Sequence, residues 1–131
     1  MPQENVDRLR RIQQQLFDCR RLGPDVLAEN VEWLNPGDAV EPGRRCGRDS
    51  FNEAIASVFD AWEQARFDIE RLIEHGDDVV ALGQVRGRGH ATRMEVDRPH
   101  GEIWTFRDGR VTRMCWFHSH QETLEAVGLS D

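Results

Sequence analysis

The sequence predicts an α+β fold, with helices packed on one face of a curved antiparallel sheet of about five strands. Apolar residues recur at helical spacing in the first half of the 131-residue chain, and after Gln64 the period changes to the alternation typical of strands. Further on, Asp108-Gly109 separates two alternating segments, which is a strong hairpin signal. Helices followed by consecutive strands are typical of α+β domains.

The first 35 residues predict two helices and a strand. Residues 4–21 place apolar side chains at helical spacing, and Gly23-Pro24 ends this helix. Pro24 also suits the first turn of a short second helix that extends to about Glu29. The alternation over residues 31–35 predicts a strand, which Pro36-Gly37 ends.

A loop and a third helix follow. Residues 36–46 contain prolines and glycines with few apolar side chains, which predicts a loop. It is a candidate for the lid or rim of any cavity, and an ordinary surface loop is the alternative. The third helix, about residues 50–64, begins with Ser50 and Glu53 as a capping box. Its apolar face suits packing across a sheet and consists of Phe51, Ala54, Ile55, Val58, Phe59 and Trp62.

Four consecutive strands are predicted after the third helix. The first covers residues 67–73, and a break in its alternation at 71–72 indicates a bulge. A turn at 75–78 connects it to a strand over 79–85. The last two strands, of which the first covers 90–106, form the hairpin.

A short helix is predicted after the hairpin. It covers residues 121–127 and is capped by Gly128.

The hairpin turn allows two registers. A two-residue loop places Trp104 opposite Arg113, whereas a three-residue loop places Trp104 opposite Thr112 and Glu102 opposite Met114. We expect the second register, because it puts the large apolar side chains on one face. That inward face would carry Trp104, Phe106, Met114 and Trp116, together with Glu102, His100 and His118.

Composition and charge exclude several classes of protein. A net charge of −7 disfavours nucleic acid and anionic membrane surfaces as partners. No apolar stretch approaches the roughly 20 residues of a membrane span, and the first residues lack the apolar core of a signal peptide. We therefore expect one cytoplasmic domain over residues 1–131. Three cysteines without C-x-x-C spacing, and histidines without a ligand pattern, predict neither disulfides nor a metal site.

Five segments in this order resemble the nuclear transport factor 2-like superfamily, and within it the SnoaL-like and ketosteroid-isomerase-like proteins. They are E-N-V-E-W-L-N-P at 29–36, C-G-R-D-S at 46–50, H-G-D-D-V-V-A-L at 75–82, I-W-T-F-R-D-G-R-V at 103–111 and E-T-L-E-A-V-G-L at 122–129. The resemblance covers essentially the whole chain. It implies a cone-shaped domain with a pocket open at one end, and a homodimer formed through the outer sheet face.

The resemblance to ketosteroid isomerases is partial at the site. Glu102 occupies the position of the acid that donates a hydrogen bond to the developing oxyanion in those enzymes. Asn35 stands where their proton-shuttling Asp would be, and the chain contains no Tyr for the remaining part of the oxyanion hole. The resemblance therefore does not imply steroid isomerisation by that mechanism. SnoaL-like cyclases use one acid near a pocket His, which Glu102 with His118 or His100 loosely matches.

Glu102 is the strongest candidate for chemistry, because a carboxylate facing an apolar cone is suited to act as an acid or base. We expect Asn35 and His100 or His118 to polarise a substrate oxygen. The predicted ligand-binding walls are Trp33, Phe59, Trp62, Trp104, Met114 and Trp116.

The sequence thus predicts an enzyme that isomerises, cyclises or hydrates a small hydrophobic carbonyl-bearing molecule without a cofactor. Two alternatives stay open. One is a non-catalytic protein that binds a small ligand in the same pocket, and the other is a structural dimeric domain.

Overall fold

The computed structural model describes residues 2–37 and 43–129. In chain order the elements are α1 (Pro2–Cys19), β1 (Leu27–Asn35), β2 (Gly43–Cys46), α2 (Arg48–Ala61), β3 (Trp62–His75), β4 (Asp78–Gly89), β5 (Glu95–Arg107), β6 (Arg110–Phe117) and α3 (His120–Ala126). The strands form one curved, open sheet in the order β2-β1-β6-β5-β4-β3. The α+β prediction is confirmed, but within these residues the sheet has six strands.

The sheet is mixed rather than purely antiparallel, because β1 runs parallel to β6. The short β2, which pairs with β1, lies within the segment 36–46 that the sequence predicts as a loop, so that prediction is wrong for residues 43–46. Residues 38–42 of the segment lie outside the described residues. The predicted short helix at 24–29 is wrong. Leu27 already pairs with Val111 in the sheet and is fully buried, so burial in the strand outweighs the local helix signal of Pro24.

Helices α1 and α2 pack on the inner face of the sheet. Leu9, Ile12 and Phe51 join Val79 and Trp104 in the main apolar core. Phe17 is one of the apolar residues at helical spacing in α1, but it is exposed over 66% of its surface. Helix α1 therefore packs closely on the inner face as far as Ile12 and less closely at its C-terminal end.

The start of α2 differs from the predicted capping box. The helix begins at Arg48 after Gly47, whose φ of 94° few other residues adopt, and no side chain caps it. Gly47 donates its N–H to the carbonyl of Val31 at 2.8 Å, so tertiary pairing to β1 sets where the helix begins. It ends at Ala61, and Trp62 already begins β3.

The β3–β4 pair confirms the predicted turn and carries the predicted irregularity one position earlier. His75 pairs with Asp78 around the turn, and Gly76 adopts a φ of 63°. The register shifts between Ile69 and Arg71 rather than at 71–72. This extra residue returns the later part of β3 to the inner face, where Leu72 packs against the main core.

The β5–β6 hairpin follows the two-residue register only next to the turn, where Phe106 pairs with Val111. Asp108 and Gly109 have φ values of 52° and 81°, as in the two-residue turns that suit hairpins, so the three-residue loop is wrong. The register then shifts between Thr105 and Phe106, where β6 contributes one extra residue. As a result Trp104 lies opposite Met114 and Glu102 opposite Trp116. The predicted inward face survives because the bulge restores the alternation.

Helix α3 packs on the outer face, opposite α1 and α2. Its Leu124 forms a second small core with Val80, Leu82 and Ile103. Ser119 caps its start, and Gly128, with a φ of 78°, donates to the carbonyl of Glu125 at its end as predicted. None of the helices in residues 2–37 and 43–129 is long and apolar enough to cross a membrane.

Candidate active site

The strand registers arrange the inner face in four rows that lead from the core to the open end. The first row, at the core, contains Trp33, Val79, Trp104 and Met114, and the second contains Ala81, Glu102 and Trp116. The third row contains Ile69, Gly83 and His100. The fourth row, nearest the open end, contains Phe67, Val85 and Arg98. Successive rows are about 7 Å apart. The first ionisable side chain, Glu102, therefore lies one row further toward the open end than the buried Trp33 and Trp104.

Glu102 is held by side chains from two different elements. Its Oε1 accepts a hydrogen bond from Trp104 Nε1 at 2.8 Å and a longer one from Gln13 Nε2 at 3.3 Å. Its Oε2 lies 2.9 Å from His100 Nε2. An ionised carboxylate accepts hydrogen bonds and donates none, so this set of partners suits a carboxylate. The contacts of Gln13 connect α1 directly to the centre of the site.

His100 connects the carboxylate to the aromatic wall. Its ring stacks on Trp116, with centroids 5.5 Å apart, and meets the edge of Phe67 at 4.8 Å. The side chains of His100 and Glu102 are each only 14% exposed. Packing on two sides fixes the imidazole, so the Glu102–His100 pair is positioned before any ligand arrives.

A cavity of about 700 Å³ lies over these rows, between the inner face of the sheet, α1 and α2. This volume falls within the range of pockets for small organic ligands. The sequence-predicted site residues that line it are Trp33, Phe59, Trp62, His100, Glu102, Trp104, Met114, Trp116 and His118. The structure thus brings together all of the predicted site residues except Asn35.

Asn35 has a different set of contacts from the one expected. Its Oδ1 accepts the indole N–H of Trp33 and that of Trp116, both at 2.8 Å. It borders a smaller pocket of about 350 Å³ rather than the cavity over Glu102. Asn35 therefore holds two wall tryptophans in place, and that oxygen is already used by protein donors.

His118 lies nearer to Glu102 than the predicted register implied. Trp116 is opposite Glu102, so His118, just past the end of β6, is two positions away, about 7 Å, instead of four. Its ring meets the edge of Trp116 at 5.0 Å. His118 consequently belongs to the wall of the cavity near its open end.

Among residues 2–37 and 43–129, no three His, Cys, Asp or Glu side chains are grouped so that they could hold a metal ion. That the protein works without a metal or a cofactor stays a prediction.

A profile of the SnoaL-like domain matches residues 21–114, which is most of the chain and includes every predicted site residue except Trp116 and His118. The chain belongs to the SnoaL-like domain family. The predicted resemblance is thereby confirmed. No curated protein sequence matches this SnoaL-like protein.

Solved structures share the fold over nearly the whole length. A protein from Jannaschia sp. CCS1 assigned as a SnoaL-like polyketide cyclase has a TM-score of 0.77 at 16% identity, covering 99% of this chain and 95% of its own. TerC, crystallised with polyporic acid, has a TM-score of 0.74 at 23% identity, covering 95% and 98%. A protein from Bacillus subtilis assigned as an isomerase has a TM-score of 0.72 at 17% identity, covering 95% and 92%. At these identities the likeness shows the fold alone.

Sequence reasoning missed Gln13, which reaches Glu102 from α1. A signal was available, because Gln13 follows Leu9 by four residues on a helix and so borders its apolar face. A polar amide beside an apolar stripe needs a partner when it is half-buried. Only the packing of α1 across the sheet identifies Glu102, 89 residues away, as that partner.

Proposed function

We propose that this SnoaL-like protein is an enzyme that performs acid/base chemistry on a small, flat, hydrophobic molecule bearing a carbonyl group. The observation that carries the proposal is the Glu102–His100 pair, 2.9 Å apart and largely shielded from water, on the wall of a cavity lined by tryptophans. Shielding two ionisable groups from water costs free energy, so a pair kept on the wall of a cavity favours a functional role over a purely stabilising one.

Glu102 is the proposed proton acceptor, and the hydrogen bonds suggest which oxygen acts. Each carboxylate oxygen can accept about two hydrogen bonds. Trp104 and Gln13 both donate to Oε1, whereas Oε2 has His100 as its partner. Oε2 therefore has a lone pair left for a C–H proton next to the substrate carbonyl.

The same proton can complete the reaction without a cofactor. In an isomerisation of a β,γ-unsaturated carbonyl compound, Glu102 takes the proton from the α carbon and returns it to the γ carbon of the resulting dienolate. In a cyclisation, the enolate carbon attacks a second carbonyl carbon, and the proton goes to the new alkoxide oxygen. His100 and His118 are the proposed groups that hydrogen-bond the substrate oxygen while its charge develops.

The aromatic wall supports a flat substrate. His100 and Trp116 stack nearly parallel, with 28° between their planes, and Phe67 stands at 82° to His100. A planar ligand can lie along this wall with its carbonyl end toward Glu102. Polyporic acid in TerC and the assignment of the Jannaschia protein as a polyketide cyclase support testing aromatic, polyketide-like compounds first.

The test combines binding with turnover. Wild type and Glu102→Gln would be screened by thermal shift against flat carbonyl compounds, steroids and polyketide-like aromatics, and each hit would then be assayed for conversion. A ligand at a hundred times its Kd stabilises by about 2.7 kcal/mol, which is readily detected. We expect Glu102→Gln to bind the hits but to lower turnover by about 10²–10⁴-fold.

Glu95→Gln is the matched control, because it makes the same change on the same strand at an exposed position that pairs with Arg88. It should leave turnover unchanged. Conversion that survives Glu102→Gln would contradict the proposal. Binding without conversion in the wild type would favour the non-catalytic ligand-binding alternative, and a cavity that accepts no ligand would favour the structural one. Homodimerisation through the outer sheet face stays a prediction, which light scattering in solution would test.

A further inference from the structure

Arg98 occupies the row next to the open end of the cavity. It lies on β5, four positions before Glu102, and lines the same cavity. Val85 is opposite Arg98 on β4, and Phe67 is opposite Val85 on β3. The neighbours of Arg98 in its row of the inner face are thus apolar, and Arg98 itself is exposed.

The neighbouring strand arginines on the outer face are paired. Arg86 contacts Asp68 and Asp97, and Arg88 contacts Glu95 at 3.0 Å. In the part of the chain that the structure describes, the Arg98 side chain has no carboxylate partner. A cation on the wall of a ligand cavity, without an internal partner, is available to an anion that enters from solution.

We propose that Arg98 binds an anionic oxygen group of the substrate, such as a carboxylate or a phenolate, and thereby decides which end of the substrate enters first. This inference rests on the proposed function of the cavity and adds a substrate class to it. The inner face is positive at Arg98 and carries the Glu102 carboxylate about 13 Å deeper along the strand. An anionic group is attracted to the first position and repelled from the second, so the neutral end of the molecule faces Glu102.

The test uses two probes of equal shape, 2-naphthoate and 2-naphthamide, which differ in charge. Isothermal titration would give the affinity of each for wild type, Arg98→Gln and Arg98→Lys. We expect the wild type to bind naphthoate about tenfold more tightly than naphthamide, as for a hydrogen bond to a charged group. The preference should disappear in Arg98→Gln, persist in part in Arg98→Lys and shrink as salt is added.

Arg107→Gln is the matched control, since Arg107 is an exposed arginine on the same strand and does not line the cavity. It should keep the tenfold preference. Equal affinities in the wild type, or a preference that survives Arg98→Gln, would overturn the inference.

The outcome separates this inference from the proposed function. Glu102→Gln should retain the preference for naphthoate, because the variant leaves Arg98 in place. A preference for naphthoate in a protein without turnover would support Arg98 and contradict the catalytic proposal. If neither probe binds at millimolar concentration, both the inference and the ligand-binding cavity are overturned.

Discussion

Alternate residues of β5 face opposite sides of the sheet, and the two sides differ in how tightly they are packed. Glu102 faces a cavity, where its polar atoms bond to Trp104, Gln13 and His100 beside open space. Gly101, the adjacent residue, faces α3, where a Cβ atom would come within 2.0 Å of Thr123 Oγ1. One strand thus combines a preorganised polar site with a packed structural contact. Changes at Gly101 should therefore alter stability, whereas changes at Glu102 should alter function.

The largest effect is expected for Gly101→Ala. The added methyl group overlaps Thr123, which is fully buried, so α3 or β5 must shift. We expect the free energy of unfolding to fall by about 3 kcal/mol, the upper part of the range for overpacking. Urea denaturation measures it. Thr123→Ala in the Gly101→Ala background removes Oγ1, the closest atom, but leaves Cβ at 2.7 Å, so it should recover only part of the loss. A double variant no more stable than Gly101→Ala would contradict this account.

Trp104→Phe tests the inner face, because Trp104 belongs both to the apolar core and to the hydrogen bonds of Glu102. The indole is 1% exposed, and its N–H donates to Glu102. Loss of that donor and of some volume should lower the free energy of unfolding by about 1–2 kcal/mol. Trp62→Phe, at a half-buried position on β3, should cost less in the same urea titration. Equal losses in the two variants would show that the bond to Glu102 adds nothing to stability.

Lowering the pH should reduce the free energy of unfolding through Asp68, which lies on the outer face of the sheet. Hydrogen bonds from Arg86 and Arg66 hold the pKa of the Asp68 carboxyl below its usual value. The stabilisation is therefore present above the unfolded-state pKa of 3.8 and is lost as the pH falls through the lower folded-state value. Asp68→Asn should accordingly lose less unfolding free energy than wild type between about pH 5 and 3. The effect is small because the pair is partly exposed.

Asp60→Asn is the control for the acid titration, because Asp60 is exposed on α2, away from the outer sheet face. Its pH dependence should match that of wild type. An Asp68→Asn curve parallel to the wild-type curve would contradict the assigned cause.

The smallest effect concerns thiol reactivity rather than stability. Burial raises the pKa of the Cys115 thiol, which lies on the outer face beside α3, whereas Cys19 and Cys46 are exposed. A thiol reagent at pH 8 should label two cysteines quickly and Cys115 slowly, because the thiolate reacts. Cys115→Ser should lose the slow phase and keep the fast ones. Three equal rates would contradict the packing of α3 over this strand.

Several local features could be predicted from the sequence because they depend on neighbouring residues. The Asp108-Gly109 turn and the Gly128 helix end require positive φ values, which those residues supply. The predicted turn at 75–78 likewise contains a glycine with positive φ, Gly76. The start of α2 could not be predicted in this way, because it depends on the bond from Gly47 to Val31 in a different element.

The features of the candidate site likewise separate into those that depend on neighbouring residues and those that depend on distant ones. By itself the sequence determined the α+β class and the inward face of β5 and β6, since alternation and turn chemistry are local properties. The family followed from the resemblance of five segments to known proteins. The tertiary structure decided that Glu102 lies opposite Trp116, that Gln13 reaches it from α1 and that Asn35 binds two tryptophans instead of facing the cavity. Bulges, parallel pairing and helix docking join residues distant in the chain, and the free energy of those contacts exists only once the whole sheet has assembled.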